Sequence, residues 1–104
     1  MKEDLLKIIE HFGVNNQQRK LQEEIFELQE AITTHELKKS VEYEIPLTEI
    51  IGTKEHIIEE IADICVILRQ FMEYYDITQD EISERMINKI NRTLERIESW
   101  YYEK

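Results

Sequence analysis

Residues 21–32 read LQEEIFELQEAI, and residues 57–68 read IIEEIADICVIL. Laid over one another, they keep a single register. Leu21 matches Ile57, Ile25 matches Ile61, Leu28 matches Ile64 and Ile32 matches Leu68. The steps between these apolar residues are four, three and four, the spacing of one face of an α-helix and not of a strand. The acids follow the same register: Glu23 with Glu59, Glu24 with Glu60, Glu27 with Asp63. Two amphipathic helices bearing the same carboxylate pattern are therefore expected at the centre of an all-α chain.

The flanking sequence extends this reading. Leu5, Leu6, Ile8, Ile9 and Phe12 predict a first helix that stops at Gly13. Asn15 and Asn16 are N-cap candidates for the second helix, which should fade between Thr33 and Ser40. Tyr43, Ile45 and Pro46 read as extended chain, because the residue before proline avoids the helical region. Gly52-Thr53 then resets the chain, with Thr53 as N-cap of a third helix from about Lys54 to Tyr75. Asp76 or Thr78 opens a fourth helix through Ile82, Met86, Ile90, Leu94 and Ile97. The expectation is one helical domain over residues 1–104, of four-helix-bundle type, with a short non-helical insert near residues 41–53.

Composition narrows the function classes. The 104 residues include 2 Gly and 1 Pro, against a usual share of roughly 12%, too few for the turns of a many-stranded β fold. No Gly-rich phosphate loop is present. Cys65 is the only cysteine, which excludes an internal disulfide and a multi-cysteine zinc site. The net charge of −10 repels phosphate backbones and anionic lipid, so neither a nucleic acid nor a membrane is an expected partner. No 18-residue apolar run occurs, and Met1-Lys2-Glu3-Asp4 lacks a signal-peptide core. A soluble, cytoplasmic protein is the expectation.

The repeated acids carry the chemical signal. At about 100° per residue, Glu24 falls about 60° to one side of its apolar stripe and Glu27 about 120° to the same side. Glu60 and Asp63 repeat those angles, whereas Glu23 and Glu59 point away from the stripe. If the two helices pair antiparallel through their stripes, Glu24, Glu27, Glu60 and Asp63 converge. Two carboxylates about 5 Å apart repel by roughly 3 kcal/mol at an effective dielectric near 20, so a quartet calls for a cation. Hard oxygen ligands in that number suit Mg²⁺ or Mn²⁺. The plain alternative is a solvated acidic face, since Glu is a strong helix former. A di-iron bundle would need ExxH on two helices. The residues three before His11, His35 and His56 are Ile8, Ile32 and Thr53, which disfavours that chemistry.

The EExxE of Glu23-Glu24-Ile25-Phe26-Glu27, followed by the ExxD of Glu60-Ile61-Ala62-Asp63, resembles the all-α nucleoside triphosphate pyrophosphohydrolases of the MazG type, relatives of the dimeric dUTPases. The flanking text HFGVNNQQRKLQEEIFELQEAI, IIEEIADICVILRQF and INKINRTLERI looks like the small, often phage-borne branch. The resemblance covers most of residues 11–97. It implies a MazG-like helical fold and Mg²⁺ ligation at Glu24, Glu27, Glu60 and Asp63. It also implies a homo-dimer or dimer of dimers with active sites near subunit interfaces. Lys89 and Arg92 resemble the family's C-terminal basic motif. The stretch between the acidic motifs, residues 28–59, is long for the family. No uracil-specific signature appears, so the base and sugar of the nucleotide stay open.

Hydrolysis between the α and β phosphates needs charge neutralisation and a positioned water more than a protein nucleophile. Glu24 is the candidate to take the water's proton. Lys89 and Arg92 are candidates for the outer phosphates, against the plain alternative of pairing with Glu95 or Glu98. Gln17 and Lys20 precede the acidic motif on roughly its own flank and are candidates for base and phosphate contacts. The leading expectation is thus an Mg²⁺-dependent hydrolase converting an NTP or dNTP to the monophosphate and pyrophosphate. The alternative is a non-catalytic acidic helical module that binds a protein partner or mimics a nucleic acid.

Overall fold

A single glycine joins the first two helices of this computed structural model, which describes residues 1–103, with side chains through residue 100. Gly13 has φ 89 and ψ 152, a backbone region that is essentially glycine-only. Its N–H bonds back to the Ile9 carbonyl at 2.8 Å, and its own carbonyl accepts the Gln17 N–H at 3.0 Å. One residue therefore ends α1 (Lys2–Phe12) and starts α2 (Val14–Ser40). Asn16 does not cap α2 as expected. Its Nδ2 donates to the Phe12 carbonyl at 2.7 Å and satisfies an open acceptor at the end of α1.

The non-helical insert is shorter than the sequence suggested. Turns run only from 41 to 46, and α3 spans Leu47–Tyr74. Pro46 stands just before α3, where its fixed φ suits a helix start and its missing N–H costs nothing; its carbonyl accepts the Glu49 N–H at 3.0 Å. Gly52 continues the helix, a placement that costs only about 1 kcal/mol relative to Ala. Thr53 is accordingly no N-cap. Its hydroxyl donates to the Ile50 carbonyl and lies 2.8 Å from His35 Nδ1.

Helices α2 and α3 are antiparallel, since their paired residues run in opposite order: Gln17 with Gln70, His35 with Thr53, Lys38 with Glu49. Helix α1 packs on both through Leu5 and Ile9, the latter 1% exposed. The α2–α3 seam does not follow the apolar stripes. Gln17, Glu24 and Ala31 are buried on α2, and Glu60, Ile67 and Gln70 on α3, whereas Ile25, Ile32, Ile61 and Leu68 are 42–46% exposed. On α2 the buried row lies about 70° from the stripe, toward the acidic flank. This corrects the expected stripe-to-stripe pairing: the acids lie in the seam itself.

Residues Met1–Tyr74 form one compact unit, and a second begins at Tyr75 and holds α4 (Gln79–Glu103). Thr78 is the N-cap of α4, its hydroxyl accepting the Glu81 N–H at 3.1 Å. Asp76, the other candidate, takes φ 56 in the turn before it. Met86, Ile90, Leu94 and Ile97 line one face of α4 and are half-exposed. Among the described residues the protein is all-α, with no strand, and no helix is long and apolar enough to cross a membrane.

Candidate functional site

Glu24 reaches the α2–α3 seam from one helix, Glu60 and Asp63 from the other. Each contributes a carboxylate oxygen to a group whose atoms lie within 4.8 Å of one another. Glu24 is 4% and Glu60 8% exposed, so bulk water screens their repulsion little. Asp63 sits at the exposed edge. Glu27 is exposed and adds no atom to this group, although its charge bears on Glu60. Glu23 and Glu59 are exposed, in line with their helical angles.

The partners of these acids are few. Lys20 Nζ lies 2.9 Å from Glu24 Oε1, one helical turn away, and His56 Nε2 lies 3.2 Å from Glu60 Oε1. The remaining oxygens, Glu24 Oε2 and Glu60 Oε2, are buried without a hydrogen-bond partner. The Lys20 ammonium holds Glu24 below its usual range, and the same contact raises Lys20. Glu60 is pushed up, first because a proton on it can be shared with Glu24, then by burial and by the charges of Glu27, Glu24 and Asp63. With both groups ionised there is no hydrogen to share, and each keeps its orphaned oxygen. A buried polar atom left unpaired costs free energy. An all-oxygen set with two orphaned anionic atoms fits a hard divalent cation such as Mg²⁺.

Two clefts adjoin the cluster. One, about 710 Å³, is lined by Glu24 and Asp63 together with Phe12, Gln17, Lys20 and Gln70. The other, about 740 Å³, is lined by Glu27 and Glu60 together with Glu30, Glu49, Lys38 and His56. Gln17 Nε2 donates to Gln70 Oε1 at 2.7 Å in the floor of the first cleft. Gln70 was not singled out from the sequence, yet a signal existed. It lies seven residues after Asp63, as Gln17 lies seven before Glu24, and seven residues are nearly two turns. Lys89 and Arg92 lie on α4 in the second unit, both exposed. With Arg85 and Arg96 they form a basic row within about 60° of arc.

Fold and site together define a class: a helical protein with a partly buried carboxylate cluster between two antiparallel helices of repeated register. No family model, no curated protein and no solved structure matches the chain.

Proposed function

We propose that this protein hydrolyses a nucleoside triphosphate, ribo or deoxy, to the monophosphate and pyrophosphate in an Mg²⁺-dependent reaction. The observation that carries this reading is the cluster of buried Glu24 and Glu60 with exposed Asp63, in which two carboxylate oxygens have no partner. Those three residues, with Glu27 at the rim, would hold Mg²⁺ (or Mn²⁺), which when bound supplies positive charge to the phosphates and lowers the pKa of a water.

The chain's own residues do the rest. Glu24, kept ionised by Lys20, takes the proton of the attacking water. The water oxygen bonds to the α phosphorus, the bond from the α phosphorus to the oxygen that bridges it to the β phosphorus breaks, and pyrophosphate leaves with that oxygen and the electron pair. Lys20, 53% exposed, contacts a phosphate once substrate competes for it. Gln17 lies in the same cleft for a nucleoside contact. The half-exposed residues Ile25, Ile32, Ile61 and Leu68 favour a homo-dimer or dimer of dimers, because a unit this small gains by burying apolar surface between subunits.

The test is pyrophosphate release from a panel of NTPs and dNTPs with Mg²⁺ or Mn²⁺. Release that falls at least ~10²-fold in Glu24→Gln, a loss of about 2.7 kcal/mol, supports the assignment. Absence of release across the panel overturns it.

A further inference from the structure

We infer that the cleft beside Gln17 and Gln70 holds the nucleobase, and that these two locked amides select among bases. The inference rests on the nucleotide reading above and deepens it by naming the groups that read the base. Of the two clefts, the one lined by Glu27, Glu30, Glu49 and Glu60 against Lys38 is hostile to a polyanion. The other carries Lys20 at its acidic end and an apolar wall of Ile8, Phe12 and Val66. Phe12 is 53% exposed, with ring surface open to a planar ligand. At about 710 Å³ the space suits a small organic molecule.

The amides supply the specificity. Each glutamine has a carbonyl acceptor and two N–H donors, and a single bond of 2.7 Å joins the pair. Gln17 Nε2 donates and Gln70 Oε1 accepts, which leaves the Gln17 carbonyl and the Gln70 NH₂ with no other partner among the described residues, both on side chains that line the cleft. Gln70 is 2% exposed and Gln17 7%, so neither side chain swings freely. A lone amide can rotate to offer donor or acceptor at the same place. In this pair, turning one amide breaks the bond unless the other turns too. The pair therefore resists such rotation and, in this orientation, sets the Gln70 NH₂ donor against the Gln17 carbonyl acceptor, the kind of edge that complements the adjacent acceptor and donor of a nucleobase. A base of the wrong pattern leaves buried amide groups unpaired, the situation in which hydrogen-bonding sites discriminate strongly.

The experiment uses ¹⁵N-labelled full-length protein in EDTA, with the common ribonucleosides and deoxyribonucleosides as probes, so that neither metal nor phosphate enters. The side-chain NH₂ signals of Gln17 and Gln70 should move on titration, with at least about tenfold between the best and worst base. Gln70→Met, which keeps length and removes both amide functions, should narrow that spread to about threefold or less. Gln17→Met should do the same and serves if the first variant fails to fold. Wild-type signals that no nucleoside moves at millimolar concentration overturn the inference, as does a spread unchanged in both variants. Pyrophosphate release by the wild type is scored in parallel. Base-selective nucleoside binding without release keeps this inference and removes the hydrolase; release without base selectivity does the reverse.

Discussion

Glu24→Gln separates the cost of the carboxylate cluster from its use. Glu24 is 4% exposed, with Oε1 at 2.9 Å from Lys20 and Oε2 unpartnered. Glutamine has the same shape. Its carbonyl accepts from Lys20, and its NH₂ replaces the orphaned oxygen with a donor beside Glu60. The metal-free protein should therefore melt at or slightly above the wild-type temperature. Bound metal reverses the order. At a cation concentration 100-fold above Kd, binding to the native state alone adds about 2.7 kcal/mol. For a unit of this size that is roughly 10–20 °C in Tm. If the substitution weakens binding tenfold, the gain at the same concentration falls to about 1.4 kcal/mol; if hundredfold, to about 0.4 kcal/mol. The assay is a thermal melt of each protein in EDTA and in MgCl₂ at matched ionic strength, because screening alone relieves like-charge repulsion. A wild-type midpoint identical in the two buffers would refute the reasoning, as would a full Mg²⁺ gain retained in Glu24→Gln.

The pH dependence follows from the raised Glu60. Above its ordinary value of 4.5 the folded state holds a proton that the unfolded state has released, so metal-free stability falls as pH rises through that window. Calorimetry in EDTA should show this fall, and Glu60→Gln should abolish it; Glu24 acts oppositely, its pairing with Lys20 stabilising above 4.5 and being lost as pH drops. Gly13→Ala should destabilise the first unit by about 1–3 kcal/mol, read by denaturant titration, although nothing within 4 Å would meet the new methyl: the cost is torsional, and an unchanged midpoint would contradict the φ of 89. Ile61→Glu places a charge on the half-exposed stripe and should shift sedimentation to the monomer at micromolar concentration, while a wild-type monomer would remove the oligomer altogether.

The helices themselves were legible in the sequence, because 3.6-residue periodicity is a local property. So was the angular relation of each acid to its own stripe. Glu24 and Glu60 share a register, and the structure brings them together with Asp63. Local periodicity also placed Gly13 at the end of α1 and Thr78 among the starts of α4. The insert was misjudged because Gly52 and Thr53 are weak helix stops that the α2–α3 contact overrides, His35 meeting Thr53 across the seam.

Which face of each helix meets its neighbour was decided only by tertiary structure. Periodicity relates residues within one helix; it does not say how far two helices roll about their axes when they pack. That roll, about 70° on α2, put Glu24, Glu60, Gln17 and Gln70 in the seam and left Ile25, Ile32, Ile61 and Leu68 half-exposed. It left Glu27 outside the group that Glu24, Glu60 and Asp63 form, and it created the amide pair. The Gln17–Gln70 bond spans 53 positions, and only the antiparallel packing of α2 on α3 brings its two ends to 2.7 Å.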